Sequence, residues 1–134
     1  MEQRNLNIGL LIFRLNFGVW MLFHGVYKLI NGIGGIKGML ADIGLPHFLA
    51  YGVHMGETLA PILMILGYRT KLASLVYTLV MIVAFGMAHF DNFFELGKSG
   101  AWAHETIALF LFGGLGLTFT GAGKYALSSI HKWD

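Results

Sequence analysis

Four long runs of apolar residues set the pattern of this chain, at residues 8–30, 48–66, 72–90 and 102–120. Each approaches the ~20 residues that an α-helix needs to cross the hydrocarbon core of a bilayer. Polar and glycine-rich segments separate them at 31–46, 67–71 and 91–101, and a tail follows from Gly121. The 67–71 segment reads Gly-Tyr-Arg-Thr-Lys, a tight and positively charged turn, so the second and third runs are expected to be antiparallel neighbours. The first link holds Ile36, Met39, Leu40 and Ile43 with Lys37 and Asp42 between them. That spacing suits a short helix lying in the membrane interface. Arg14 interrupts the first run and no small-residue cleavage site follows it, which argues against a cleavable signal peptide. The pattern predicts an all-α fold: an integral membrane four-helix bundle forming one membrane domain over residues 1–134.

Composition agrees and narrows the partners. Hydrophobic residues make up 56% of the chain and charged residues 12%, against about 45–50% and about 25% in soluble domains. The formal net charge is only +2 and no block of Lys and Arg occurs, so nucleic acid is excluded as a partner. Cysteine is absent, which removes thiolate catalysis and Cys-ligated zinc or iron–sulfur centres from this chain. Arg4, Arg69, Lys71, Lys124 and Lys132 fall on one side of the alternating runs, and Lys28, Lys37 and Lys98 on the other. The positive-inside bias places both termini in the cytoplasm.

Up-down connectivity then gathers the polar residues at one end. His24 and Lys28, then His47, His54 and Glu57, then His89 and Asp91, then His104 and Glu105 all fall in the outer leaflet. Ionisable groups inside a span face the bundle interior and make a functional site the default reading. At a rise of about 1.5 Å per residue, Glu57 lies roughly 13 Å below the outer boundary and Arg14 roughly 9 Å above the inner one. An extended Arg14 is therefore expected to pair with Glu57 near the midplane. Arg14, Lys28, Glu57 and Glu105 sum to zero charge, which suits a paired network better than an ion pathway of one sign. Such pairs fix helix register as readily as they serve chemistry.

Two ligand chemistries compete for this cluster. His24, His89, Glu57 and Glu105 come from four different runs, as a bundle metal site requires. A di-iron bundle, however, needs Glu-x-x-His on two helices, and only the reversed His54-Met55-Gly56-Glu57 is present. Metal is the weaker reading, and no metal ligands are assigned. A quinone head group needs hydrogen-bond donors, a proton acceptor and an apolar channel for its tail. His24, Tyr27, His89 and Glu105 supply the polar part at headgroup depth. Trp20, Tyr27, Tyr51 and Trp102 serve equally well as interface anchors, and His54 and His104 as hydrogen-bonding groups between helices.

Several fragments together resemble a known family. They are Arg14-Leu15, Phe23-His24-Gly25 and Lys28-Leu29; Ile43-Gly44-Leu45-Pro46 and Leu49-Ala50-Tyr51; Gly56-Glu57-Thr58-Leu59-Ala60-Pro61-Ile62-Leu63; and Leu66-Gly67 with Arg69-Thr70-Lys71-Leu72-Ala73. Met81, Ala84, His89, His104-Glu105 and Gly121-Ala122-Gly123-Lys124-Tyr125 complete the pattern. It resembles the DoxX family of small bacterial membrane proteins. The resemblance implies a four-helix protein of the bacterial cytoplasmic membrane. It also implies kinship with a quinone-linked thiosulfate oxidoreductase subunit and with proteins of oxidative or thiol stress responses. The family's recurring polar positions correspond to Arg14, His24, Lys28, Glu57, His89 and Glu105. Without cysteine this chain relays no electrons through a dithiol, so thiosulfate specificity is not carried over.

The expected function is that of a membrane-embedded redox-associated protein, a quinone-linked oxidoreductase subunit with a polar pocket in the outer leaflet. Arg14, Glu57, His89 and Glu105 are its catalytic candidates. His24, Tyr27, Lys28, His54 and His104 are its ligand-binding candidates. A small solute or proton transporter, and a non-catalytic assembly partner, are the alternatives. The expected partners are the lipid bilayer, a quinone or small reductant, and a membrane or soluble redox protein. The face carrying Gly113, Gly114 and Gly116 permits a homo-oligomer.

Overall fold

In the computed structural model, which describes residues 1–88 and 92–134, the chain is helical and the described residues form no strand. His89 and Asp91 lie outside the described residues. Helix α1 spans Glu2–Asn31 and α2 spans Gly34–Asp42. A composite helix α3 covers His47–Leu66, α4 covers Thr70–Ala88, and α5 covers Glu105–Thr120. Three of them, α1, α3 and α4, are long and apolar enough to cross a membrane. The fourth apolar run is shorter than its sequence suggests. Its helix begins at Glu105, not at residue 102, and its 16 residues extend about 24 Å against a hydrocarbon core of about 30 Å. Trp102 instead sits in an isolated antiparallel bridge with Leu96. The helix expected in the first link is present as α2.

The helices pack in sequence order, α1 on α3, α3 on α4, α4 on α5, with α5 returning to α1. Phe17, Met21, Ala60, Met64, Ala73, Tyr77, Met81 and Leu117 make the shared core. Small residues set how closely the helices approach. A Cβ at Gly113 would enter the Phe17 ring, and one at Gly18 would meet Ile65 and the Pro61 carbonyl. Hydroxyls also link α4 to α5: Thr118 donates to Ser74 Oγ at 3.2 Å, and Ser74 donates to the Thr70 carbonyl at 2.7 Å.

Helix α3 is irregular for reasons written in its sequence. Pro46 precedes a 3-10 turn at His47–Tyr51, a short α segment follows at Gly52–His54, and Met55–Leu59 form a π turn. The Ala60 N–H donates to the Met55 carbonyl, five residues back. Pro61 lacks the N–H that would bond Glu57 O in an ordinary α-helix, and its ring crowds that carbonyl. The wide turn therefore falls on the residues just before Pro61, with Glu57 at its centre. Helix α3 stops at Gly67, whose φ of 71° is the left-handed cap conformation.

Candidate functional site

The polar residues of the spans divide into two groups at opposite ends of α1. Lys28 and Arg14 are 14 positions apart, so about 21 Å of helix separates them. At the Lys28 end, the second halves of α1 and α4, the underside of α2, and the first parts of α3 and α5 enclose a cavity of about 880 Å³. Its walls are mostly Met, Leu, Ile, Val and Ala, with His24, Lys28, Glu57 and His104 as the ionisable lining. That volume falls in the range of small-molecule sites.

Lys28 and Glu57 form the ion pair of this cavity. The Lys28 ammonium donates to both carboxylate oxygens of Glu57, each at 2.5 Å. Glu57 is 3% exposed, while Lys28 is half-buried at the cavity edge. An ammonium has three donors, so two contacts to the carboxylate leave one N–H for the cavity. The π turn and a close helix contact fix the backbone that carries this carboxylate. Gly25 on α1 lies against the Glu57 carbonyl so closely that a Cβ there would collide with it.

His24 contributes a cavity wall, edge-on to Phe110 at 5.9 Å. His104 is buried, its Nε2 is 2.9 Å from the Asn92 carbonyl, and its ring meets Phe85 and Trp102 edge-on. Other sequence candidates stand apart. Tyr27 and Glu105 are exposed and do not line the cavity. His54 is half-buried beside Tyr51 and outside the cavity lining, and its Nδ1 has no hydrogen-bond partner among the described residues. Among the described residues, no three His, Asp or Glu side chains come together as metal ligands would.

The expected Arg14–Glu57 pair does not form. Arg14, 2% exposed, turns the other way and donates to the carbonyls of Ala122 at 3.1 Å and Tyr125 at 2.6 Å. It holds residues of the C-terminal tail. Asn7 accepts from the Lys124 N–H, and Leu127 and Ser128 donate to the carbonyls of Leu66 and Gly67. Asp134 accepts from Ser128 Oγ, from the Ile130 and His131 N–H groups, and from Arg69 at 3.2 Å. Desolvation pushes the Asp134 carboxyl up. The Ser128 hydroxyl, the His131 N–H and the Arg69 charge outweigh it and bring the carboxyl down to about 2.

Sequence reasoning passed over Tyr77, which is 0% exposed and whose hydroxyl has no partner among the described residues. Its signal is the stripe Thr70, Ser74, Tyr77, Thr78 and Met81, all buried on one face of α4.

Long apolar helices around a cavity with a buried ion pair define a membrane protein. A family model for DoxX matches residues 9–90, and the chain belongs to the DoxX family. It is 30% identical over 82 residues to the Bacillus subtilis (strain 168) protein named "Putative oxidoreductase CatD". That match covers 61% of this chain and 60% of the relative's length. No solved structure matches the chain. The family match contains Lys28 and Glu57 and stops short of His104 and the tail.

Proposed function

We propose that the protein is a membrane-embedded, redox-associated protein that binds a quinone, or a small uncharged reductant, in the Lys28–Glu57 cavity. One observation carries the reading: a fully paired lysine and glutamate at the edge of a large apolar cavity. The pair adds no net charge, so it suits a neutral ligand with an apolar body and a polar head. The third N–H of Lys28 is a donor for a ligand carbonyl, Glu57 is the nearby acceptor for a proton, and His24 and His104 complete the polar wall. The apolar walls take the tail. Membership of the DoxX family and the oxidoreductase name of the relative support the redox part.

In this reading the chain crosses a bacterial cytoplasmic membrane with four helices and both termini inside, and α2 lies in the outer interface over the cavity. Arg14 has a separate task and secures the tail at the inner end. A pathway for protons or solutes is the second reading. The tail stands across the inner end, which favours a one-sided binding site over a channel.

The test is titration of purified protein in nanodiscs with decylubiquinone and a short-chain menaquinone, followed by quenching of Trp fluorescence. Saturable quenching that disappears in Glu57→Gln is expected. Linear, non-saturating quenching with both quinones would overturn the reading.

A further inference from the structure

The cavity beside Lys28 and Glu57 is larger than its polar groups require. At about 880 Å³ it lies near the upper end of small-molecule sites, and a single ring would fill only a fraction of it. Its chemistry is also divided. The ionisable lining comes from His24 and Lys28 on α1, Glu57 on α3 and His104 just before α5, whereas α2, the link after it and α4 contribute none.

A residue that lines a cavity and is also exposed stands where the cavity opens. Leu79 and Val83, one turn apart on α4, line it at 53% and 58% exposure. Ile43 and Leu45 of the first link and Leu49 of the 3-10 turn line it and are exposed as well. These residues belong to one opening, because Val80 on the same stretch of α4 packs with Leu40, Ala50 and Val53 and stands against Gly56 of α3. None of the five rim side chains carries a polar group. Leu79 lies nine positions before Ala88, where α4 ends, so the opening reaches about 13 Å down the helix. In a hydrocarbon core about 30 Å thick, that depth faces lipid chains and not water. By the same criterion His24 on α1 and Thr106 on α5 mark a second rim, and this one is polar.

We propose that the cavity opens sideways into the bilayer between the first link and α4, and that its ligand is a tailed, membrane-resident quinone. The head lies at Lys28 and Glu57, and the chain passes out across Leu79 and Val83, which select for it. Along this route the chain never leaves an apolar medium. A small water-borne reductant would use the polar rim alone and leave the apolar mouth without a role. The inference rests on the quinone reading of the site and decides between its two ligand classes.

The test compares decylubiquinone with its tail-less parent quinone, by saturable quenching of Trp fluorescence in nanodiscs. The proteins are wild type, Val83→Phe, Leu79→Phe and, as control, Ile82→Phe, whose position is exposed on α4 and does not line the cavity. All four positions of comparison lie outside the packed core, and circular dichroism checks the fold. A ring added at the mouth crowds the chain and not the head. Val83→Phe and Leu79→Phe are therefore expected to weaken decylubiquinone about tenfold and to leave the tail-less quinone within about twofold, while Ile82→Phe changes neither. Unchanged decylubiquinone binding in both mouth variants, or equal weakening of both quinones, would overturn the inference and leave the quinone site standing. Binding of the tail-less quinone without decylubiquinone would do the same and assign the small reductant. Saturable binding of neither quinone to wild type would overturn the ligand assignment and this inference with it.

Discussion

At the scale of single residues, the pair that forms is decided by how α1 is set against α3, along its axis as well as around it. Counting residues from the boundaries puts Arg14 and Glu57 near each other along the membrane normal, but the structure packs Glu57 against Gly25, about 16 Å along α1 from Arg14. In the structure Gly25 sits on the Glu57 carbonyl and Gly18 on the Pro61 carbonyl, which sets α1 against α3 so that Lys28 reaches Glu57. The charges themselves were legible; their partners were not, because pairing depends on the axial offset and the rotation of one helix against the other. Removing one member leaves the other buried and uncompensated. Lys28→Met is therefore expected to destabilise the protein by roughly 3 kcal/mol. The paired change Lys28→Met with Glu57→Leu should recover most of that loss, as read from denaturation midpoints. Gly25 offers a second check. Gly25→Ala drives a methyl into backbone at Glu57, which has no way to give, and should cost about 1–3 kcal/mol. Gly9, with open space around it, should tolerate alanine with no loss, and helix propensity favours the change.

At the scale of elements, two features escape a reading by period alone. Pro61 is plain in the sequence, yet the π turn that it provokes at Met55–Leu59 is a choice among ways to re-pair the backbone. That choice turns Glu57 inward. The C-terminal tail is the other: it has no apolar period, and its order comes from long-range hydrogen bonds to Arg14, Asn7, Arg69 and the carbonyls of Leu66 and Gly67. A carboxyl held low in the folded state stabilises above its unfolded value, near 3.9, and that contribution is lost as pH falls through the folded value. Asp134, held at about 2, should keep the tail docked at pH 4 and release it only as pH approaches 2. Cleavage of the tail by pepsin should accelerate across that window, and Asp134→Asn should abolish the change. A tail equally resistant at pH 4 and pH 2 would contradict the role given to Asp134.

At the scale of the whole molecule, the sequence showed that the polar groups gather at one end, and α1, α3, α4 and α5 do bring His24, Lys28, Glu57 and His104 to a common cavity. It did not show that Glu105 faces away: α5 starts three residues later than the apolar run, and Glu105 at its first position is exposed while Thr106 and Ile107 beside it line the cavity. The proposed topology, four crossings with both termini inside, predicts the labelling pattern of single cysteines in this cysteine-free chain. Lys37→Cys and Lys98→Cys should react with an impermeant maleimide from the outside of intact cells, and Lys71→Cys only after permeabilisation. The reverse pattern would invert the topology. The central claim is that the intramembrane charges have two separate tasks, ligand binding at Lys28–Glu57 and tail anchoring at Arg14. Quinone titration of Glu57→Gln and Arg14→Lys side by side, with folding checked by circular dichroism, tests it most directly. The account predicts that Glu57→Gln loses saturable decylubiquinone binding while Arg14→Lys keeps it within about twofold and frees the tail to protease, since lysine lacks the guanidinium fork. Loss of binding in Arg14→Lys with retention in Glu57→Gln would contradict it.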